Sequence, residues 1–151
     1  MDKKKYLEDY FGQLRQIISF DQEKINNLIK TSEILLEANN NGKKTMIFGN
    51  GGSAAIASHF SVDLTKNARV RCVNYNESDL LTCFSNDFGY EKWVEKSIEY
   101  YADKGDIVIF LSCSGNSMNI VNACKYSIKK GLKVVTLTGI QKNNKVNKLK
   151  S

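Results

Sequence analysis

The chain has 151 residues, 42% hydrophobic and 25% charged, which describes a folded domain with one core and excludes a disordered chain. No apolar run reaches the roughly 18 residues needed to cross a bilayer, and the polar start lacks a signal-peptide pattern, so a cytoplasmic protein without membrane contact is expected. The net charge of +6 suggests nucleic acid only until it is located. Lys142, Lys145, Lys148 and Lys150 fall after Gln141 with no acid among them, which leaves the first 140 residues at +2. The expectation is a frayed, solvated tail and no nucleic-acid partner.

The chain reads as a single domain: a helical pair over 1–42, an α/β core over 44–139, and a polar, lysine-rich tail over 140–151. In the second helix Ile25, Leu28, Ile29, Ser32, Leu35 and Leu36 form an amphipathic stripe, with Asp21 as N-cap and Asn39–Gly42 as the stop. Thr45–Phe48 is a short apolar strand leading into Gly49-Asn50-Gly51-Gly52-Ser53, and a helix follows over Ala54–Thr65. Val70–Tyr75 is a second strand, with short helices over Ser78–Phe84 and Glu91–Tyr101. Ile107–Leu111, five apolar residues in a row, has the pattern of a strand buried on both faces. It runs into Ser112-Cys113-Ser114-Gly115-Asn116-Ser117 and a helix that turns Ile120, Val121, Cys124 and Ile128 inward and stops at Gly131. Leu132–Leu137 is the fourth strand. Alternating strands and helices require a parallel sheet covered by helices on both faces, with ligands at the carboxyl ends of the strands.

The cysteines at 72, 83, 113 and 124 lack the close spacing of a zinc site or redox dithiol, so free thiols are expected, buried at Cys72 and Cys124.

The two loops carry the chemistry. Glycines 49, 51 and 52 let the backbone approach a ligand at the positive end of the next helix, and Ser53 adds a hydroxyl. Ser112, Ser114 and Ser117 repeat the device around Gly115. Hydroxyls and amides without Arg or Lys suit a monoester phosphate. A single such loop is equally well a plain turn with a serine cap; two in one parallel sheet favour phosphate. Gly49–Ala54 also fits G-x-G-x-x-A, a dinucleotide fingerprint with Glu77 as ribose acid, but the spacing is long and the second loop is left unexplained. His59, the only histidine, has Asp63 four residues on along the same helical face. The pair suits shared metal ligation or acid–base work beside a sugar, with a helix-surface ion pair as the bland alternative. In Asn86-Asp87-Phe88-Gly89-Tyr90, Asp87 reads as an N-cap and Gly89 as a turn residue.

Together Phe48–Ala55, His59-Phe60, Asn86–Tyr90, Ser114–Ser117 and Val134–Gly139 resemble the sugar isomerase (SIS) family, and within it the phosphoheptose isomerases. The resemblance implies a flavodoxin-like α/β sheet with helices on both faces. It further implies a homotetramer with sites shared between subunits and, in many members, a zinc ion. The implied reaction turns sedoheptulose 7-phosphate into D-glycero-D-manno-heptose 7-phosphate, for the activated heptose of lipopolysaccharide or capsule. By position, the resemblance gives Ser53, Ser112, Ser114 and Ser117 to the phosphate and Asn50 and Asp87 to the sugar, with Gly51, Gly52 and Asn116 also among the substrate-binding residues. It makes His59 a metal ligand and Asp63 ligand and base, where the family has glutamate. Ile56 and Ser58 replace the family's Asp and Gln. The family pattern continues past Ser151 with a strand and a helix whose Gln and His complete the site. Two other functions stand beside the isomerase: a non-catalytic SIS module holding a sugar phosphate or a protein partner such as a replication initiator, and an oxidoreductase resting on the first glycine loop alone.

Overall fold

The structure, a computed structural model, describes residues 2–18 and 21–149. It divides into two units, Met1–Ile34 and Leu35–Ser151. The first contains α1 (Lys3–Ile18) and most of α2 (Gln22–Asn40). Asp21 caps α2, its carboxylate accepting the Lys24 N–H at 2.8 Å. No described residue of α1 is buried, and Tyr6, Leu7, Tyr10 and Phe11 each stand about half exposed. Of the stripe expected along α2 only Leu35 is buried, and it already belongs to the second unit.

The second unit is built on four parallel strands, β1 (Thr45–Gly49), β2 (Cys72–Asn74), β3 (Ile107–Ser112) and β4 (Lys133–Thr138), in the order β2-β1-β3-β4. This is the flavodoxin-like order, in which the winding reverses between β1 and β3. The central strands β1 and β3 are buried at every residue. Met46, Phe48, Val108 and Phe110 join one core cluster with Trp93, Val94 and Ile98 of α5 (Trp93–Tyr101) and Ile120, Val121 and Cys124 of α6 (Met118–Lys129). On the other side, α3 (Gly52–Lys66) packs on β1 and β2, with Ala57 and Leu64 buried. Burial pushes the Cys72 thiol up to about 12 and the Cys124 thiol up to about 11, so both stay neutral and inert at pH 7. No helix among the described residues is long and apolar enough to cross a membrane.

Three local expectations are corrected. β2 is shorter than Val70–Tyr75, because the Arg71 N–H turns to the Asn39 side chain at 2.9 Å instead of joining a ladder. Asp87 is not an N-cap: α4 (Ser78–Phe88) runs one turn further than read, with Gly89 at its C-cap. Phe88 holds that extra turn, edge-on to Phe84 and beneath the Lys96 ammonium. The lysine-rich tail is not frayed over its described length. Asn144 is 1% and Val146 2% exposed, and Val146 enters the core cluster.

At the sheet edge away from the glycine loops, Lys44 bonds Asp103 at 2.8 Å and the buried Asp106, tying the starts of β1 and β3 together. Burial acts to lower the Lys44 pKa, but the hydrogen bonds and charges of Asp103 and Asp106 leave it raised overall. The hydrogen bond from Lys44 in turn holds Asp103 below the usual carboxylate range.

Candidate functional site

Each loop of the site begins where a central strand ends. At the end of β1, a Cβ on Gly49 would sit 2.5 Å from the Ser53 carbonyl oxygen, so only glycine lets the first turn of α3 close over the strand. The Ser53 N–H bonds the Asn50 carbonyl at 2.9 Å, and Gly51 and Gly52 stand at the helix entrance. At the end of β3 the Gly115 N–H meets the Ser112 hydroxyl at 3.2 Å, and the Asn116 N–H meets the Ser114 hydroxyl at 3.2 Å. Ser117 is the N-cap residue of α6, its hydroxyl unused by the helix. The Ser53, Ala54 and Ile120 amides turn back onto Asn50, Gly51 and Ser117. This leaves the very first amides, those of Gly52 and of Met118 and Asn119, without intrahelical acceptors by position, and both helix dipoles place positive potential there.

Adjacency of β1 and β3, with Gly49 in register with Leu111, brings the two loops together. Ser53 Oγ lies 3.7 Å from Cys113 Sγ. Asn50, Gly52, Ser53, Ser112, Ser114 and Ser117 line one open cavity of about 410 Å³, with Ile56, Leu111, Cys113 and Ile140 as its apolar part. No charged side chain lines it. Hydroxyls, amides and two helix N-termini around such a space are suited to an anion. The cavity unites the two loops, the second of which the dinucleotide reading leaves unexplained.

Asn50 is tied down. Its Nδ2 donates to Asn119 Oδ1 at 2.9 Å, while its Oδ1 accepts from Asn119 Nδ2 at 2.8 Å and from the Tyr90 hydroxyl at 3.2 Å. An Asn amide has two N–H groups, so one remains for a ligand. This amide pair joins the first loop to the start of α6, and Tyr90 attaches the turn after α4. Asp87 itself lines neither this cavity nor the histidine depression described next. It sits exposed on α4, accepting from Asn86 Nδ2 at 2.9 Å and from the Cys83 thiol at 3.7 Å.

His59 and Asp63 lie in a shallower depression with Ala55, Ile56 and Phe60, sharing Ile56 with the anion cavity. His59 Nε2 is 3.6 Å from Asp63 Oδ2, with the side chains 80% and 48% exposed. Asp63 Oδ1 also accepts from Asn67 Nδ2 at 3.0 Å. The pair is open to a substrate and offers a metal two donors. Among the described residues no group of three His, Cys, Asp or Glu side chains comes together.

Sequence reasoning missed Asn119, Tyr90, Asn144 and Ile140. Asn119 carried a faint signal, since with Ala123 and Ser127 it repeats every four residues beside the apolar stripe of α6, and all three are buried. Asn144 and Ile140 carried none.

The SIS domain model matches residues 9–139. The phosphoheptose isomerase of Aliarcobacter butzleri is 38% identical over 128 residues, which take in 81% of this chain and 67% of that one. That of Buchnera aphidicola is 36% identical over 124 residues, 79% of this chain and 64% of the other. The matched region therefore spans about two thirds of these relatives' length, and just under that in the second. In three dimensions the chain is similar over its whole length to a phosphoheptose isomerase structure from Francisella tularensis, with TM-score 0.87, 23% identity and 82% of that chain covered, a likeness of fold. Matched by the domain model over most of its length and by curated relatives on both sides of the two loops, the chain belongs to the SIS-domain family, on its phosphoheptose isomerase branch.

Proposed function

We propose that the chain is an aldose–ketose isomerase that converts sedoheptulose 7-phosphate to D-glycero-D-manno-heptose 7-phosphate, feeding activated heptose for lipopolysaccharide or capsule. The observation that carries this reading is the single cavity formed by two serine–glycine loops on adjacent strand ends. In it Ser53, Ser112, Ser114 and Ser117 hydrogen-bond the phosphate, aided by the amides of Gly51, Gly52 and Asn116. Fixing the phosphate fixes the sugar, which turns proton transfer into a step within one complex. Asn50, held by Asn119 and Tyr90, offers its remaining N–H to a sugar hydroxyl, whereas Asp87, outside both depressions, takes no part.

Isomerisation moves one proton between neighbouring carbons and another between their oxygens. The Asp63 carboxylate takes a proton from C1 of the ketose, giving an enediol, and returns it to C2. His59 carries the proton from O1 to O2, leaving an aldehyde at C1 and a hydroxyl at C2. Zinc, which the resemblance implies, would take His59 and Asp63. A catalytic zinc ordinarily has three protein ligands. The described residues supply two, so they do not make that centre by themselves. The exposed aromatic and aliphatic face of α1 supports assembly as a homotetramer, and a cytoplasmic enzyme fits a sugar-phosphate substrate.

The test is aldose formation from sedoheptulose 7-phosphate, followed by NMR. Asp63→Asn should slow it by about 10² or more while leaving Tm unchanged, because the side chain is half exposed. A folded wild-type protein that neither binds nor converts the sugar phosphate would overturn the proposal.

A further inference from the structure

We propose that the segment from Gly139 to Leu149 is a third wall of the anion cavity, and that Lys145, which it carries, is the countercharge for the bound phosphate. The inference rests on the phosphate reading of the two loops. Four contacts hold the segment to the second loop. The Gly139 N–H bonds the Cys113 carbonyl at 3.1 Å, and the Val146 N–H bonds the Gly115 carbonyl at 3.0 Å. The Lys145 N–H bonds Asn116 Oδ1 at 3.0 Å. Asn144 lies against Gly115 so closely that a Cβ there would come within 2.2 Å of its Cγ. The Asn144 amide donates to Thr138 Oγ1 at the end of β4 and, within the segment, donates to the Gln141 carbonyl and accepts the Asn147 N–H. Ile140, which lines the cavity, holds φ at +26, a strained backbone for a β-branched residue that persists only where its surroundings fix it.

The charge of Lys145 is then the informative feature. Its backbone is pinned to Asn116, between Ser114 and Ser117, and its ammonium rests 3.4 Å from Met118 Sδ at the first residue of α6. A thioether is a weak acceptor. A cation beside a helix N-terminus also opposes the dipole, which favours negative charge there. Among the described residues Lys145, like most of the lysines, has no carboxylate within 4.0 Å, so its charge is not already neutralised by an acid of this chain. An ammonium on a flexible stem, resting one residue past the cavity-lining Ser117 on a segment whose Ile140 lines the same cavity, suits a phosphate dianion, which lysine binds as a point charge. The hydroxyls, amides and helix N-termini already favour an anion, and Lys145 adds the full positive charge that none of them carries.

The experiment measures the Kd of the full chain for inorganic phosphate and for sedoheptulose 7-phosphate, at low and at high ionic strength, alongside Tm. Lys145→Ala should weaken both ligands about tenfold at low salt, with the gap closing as salt screens the charge. Lys145→Arg should restore most of the affinity, Lys148→Ala should bind like wild type, and Tm should move little because the Lys145 side chain is exposed. Lys145→Ala binding as tightly as wild type, or Lys148→Ala losing as much, overturns the role of Lys145 and leaves the phosphate reading standing. Wild type that binds neither probe overturns both.

Discussion

Alanine at position 115 is the sharpest probe of how the second loop is held. It would carry a Cβ at φ +62, with the Asn144 Cγ 2.2 Å away and its Oδ1 2.3 Å away. The left-handed backbone costs a residue with a Cβ about 1–2 kcal/mol. Forcing a methyl into an occupied space adds about 1–3 kcal/mol. Together, at about 2–5 kcal/mol, these predict a Tm lower by about 4–20 °C, at roughly 2–4 °C per kcal/mol for a chain of this size. Gly131 separates the two contributions, because it has φ +71 but open space where its Cβ would go. Gly131→Ala should therefore show the backbone part alone. Thermal unfolding of both variants gives the comparison. In an Asn144→Ala background the cost of Gly115→Ala should fall to that of Gly131→Ala, a non-additivity expected only of residues in contact. If Gly115→Ala costs no more than Gly131→Ala, or the same whatever stands at 144, the packing of the segment on the loop is refuted.

Three further outcomes are expected. Asn119→Ala, at a 2% exposed position, should cost about 1–3 kcal/mol in urea unfolding by stranding the Asn50 amide, and the Asn50→Ala, Asn119→Ala double variant should lose less than the sum. Lys44→Met should lower Tm by a constant amount near neutral pH. The gap to wild type should narrow as pH falls below 3.8, because the depressed Asp103 pKa stabilises only above that value, and as pH rises past 10.5, because the raised Lys44 pKa stabilises only below it. Light scattering should find more than one copy per particle, and Leu7→Glu with Phe11→Glu should reduce it to monomer; a wild-type monomer would remove the role given to the α1 face.

The sequence made the sheet legible because β3 is five apolar residues in a row and β1 is a short apolar run that ends on glycine, patterns that admit few alternatives. It made the loops legible because glycine and serine at strand ends have few structural uses. It could not show that Asn50 is held by a partner 69 positions away, since a reciprocal amide pair leaves no spacing to read. The segment after β4 misled for a related reason. Lysines and asparagines usually mark solvated chain, yet here the asparagines satisfy a tight turn internally and only Val146 and Leu149 reach the core cluster. Asp87 misled by type: an acid beside a glycine suits a helix start, but the Phe84–Phe88 contact carries the preceding helix through it.

The pairing of β1 with β3 also governs when the anion cavity comes into being. That ladder joins residue 45 to residue 107, across an entire strand and three helices. Contacts so distant along the chain form late and set the pace of folding. Both loops hang from this one ladder, so neither half of the cavity exists as a binding surface until the centre of the sheet has closed. An anion that fits it therefore binds only the folded second unit and acts on its folding equilibrium by mass action. At a hundred times its Kd, such a ligand would add about 2.7 kcal/mol to the stability of that whole unit, residues far from the loops included.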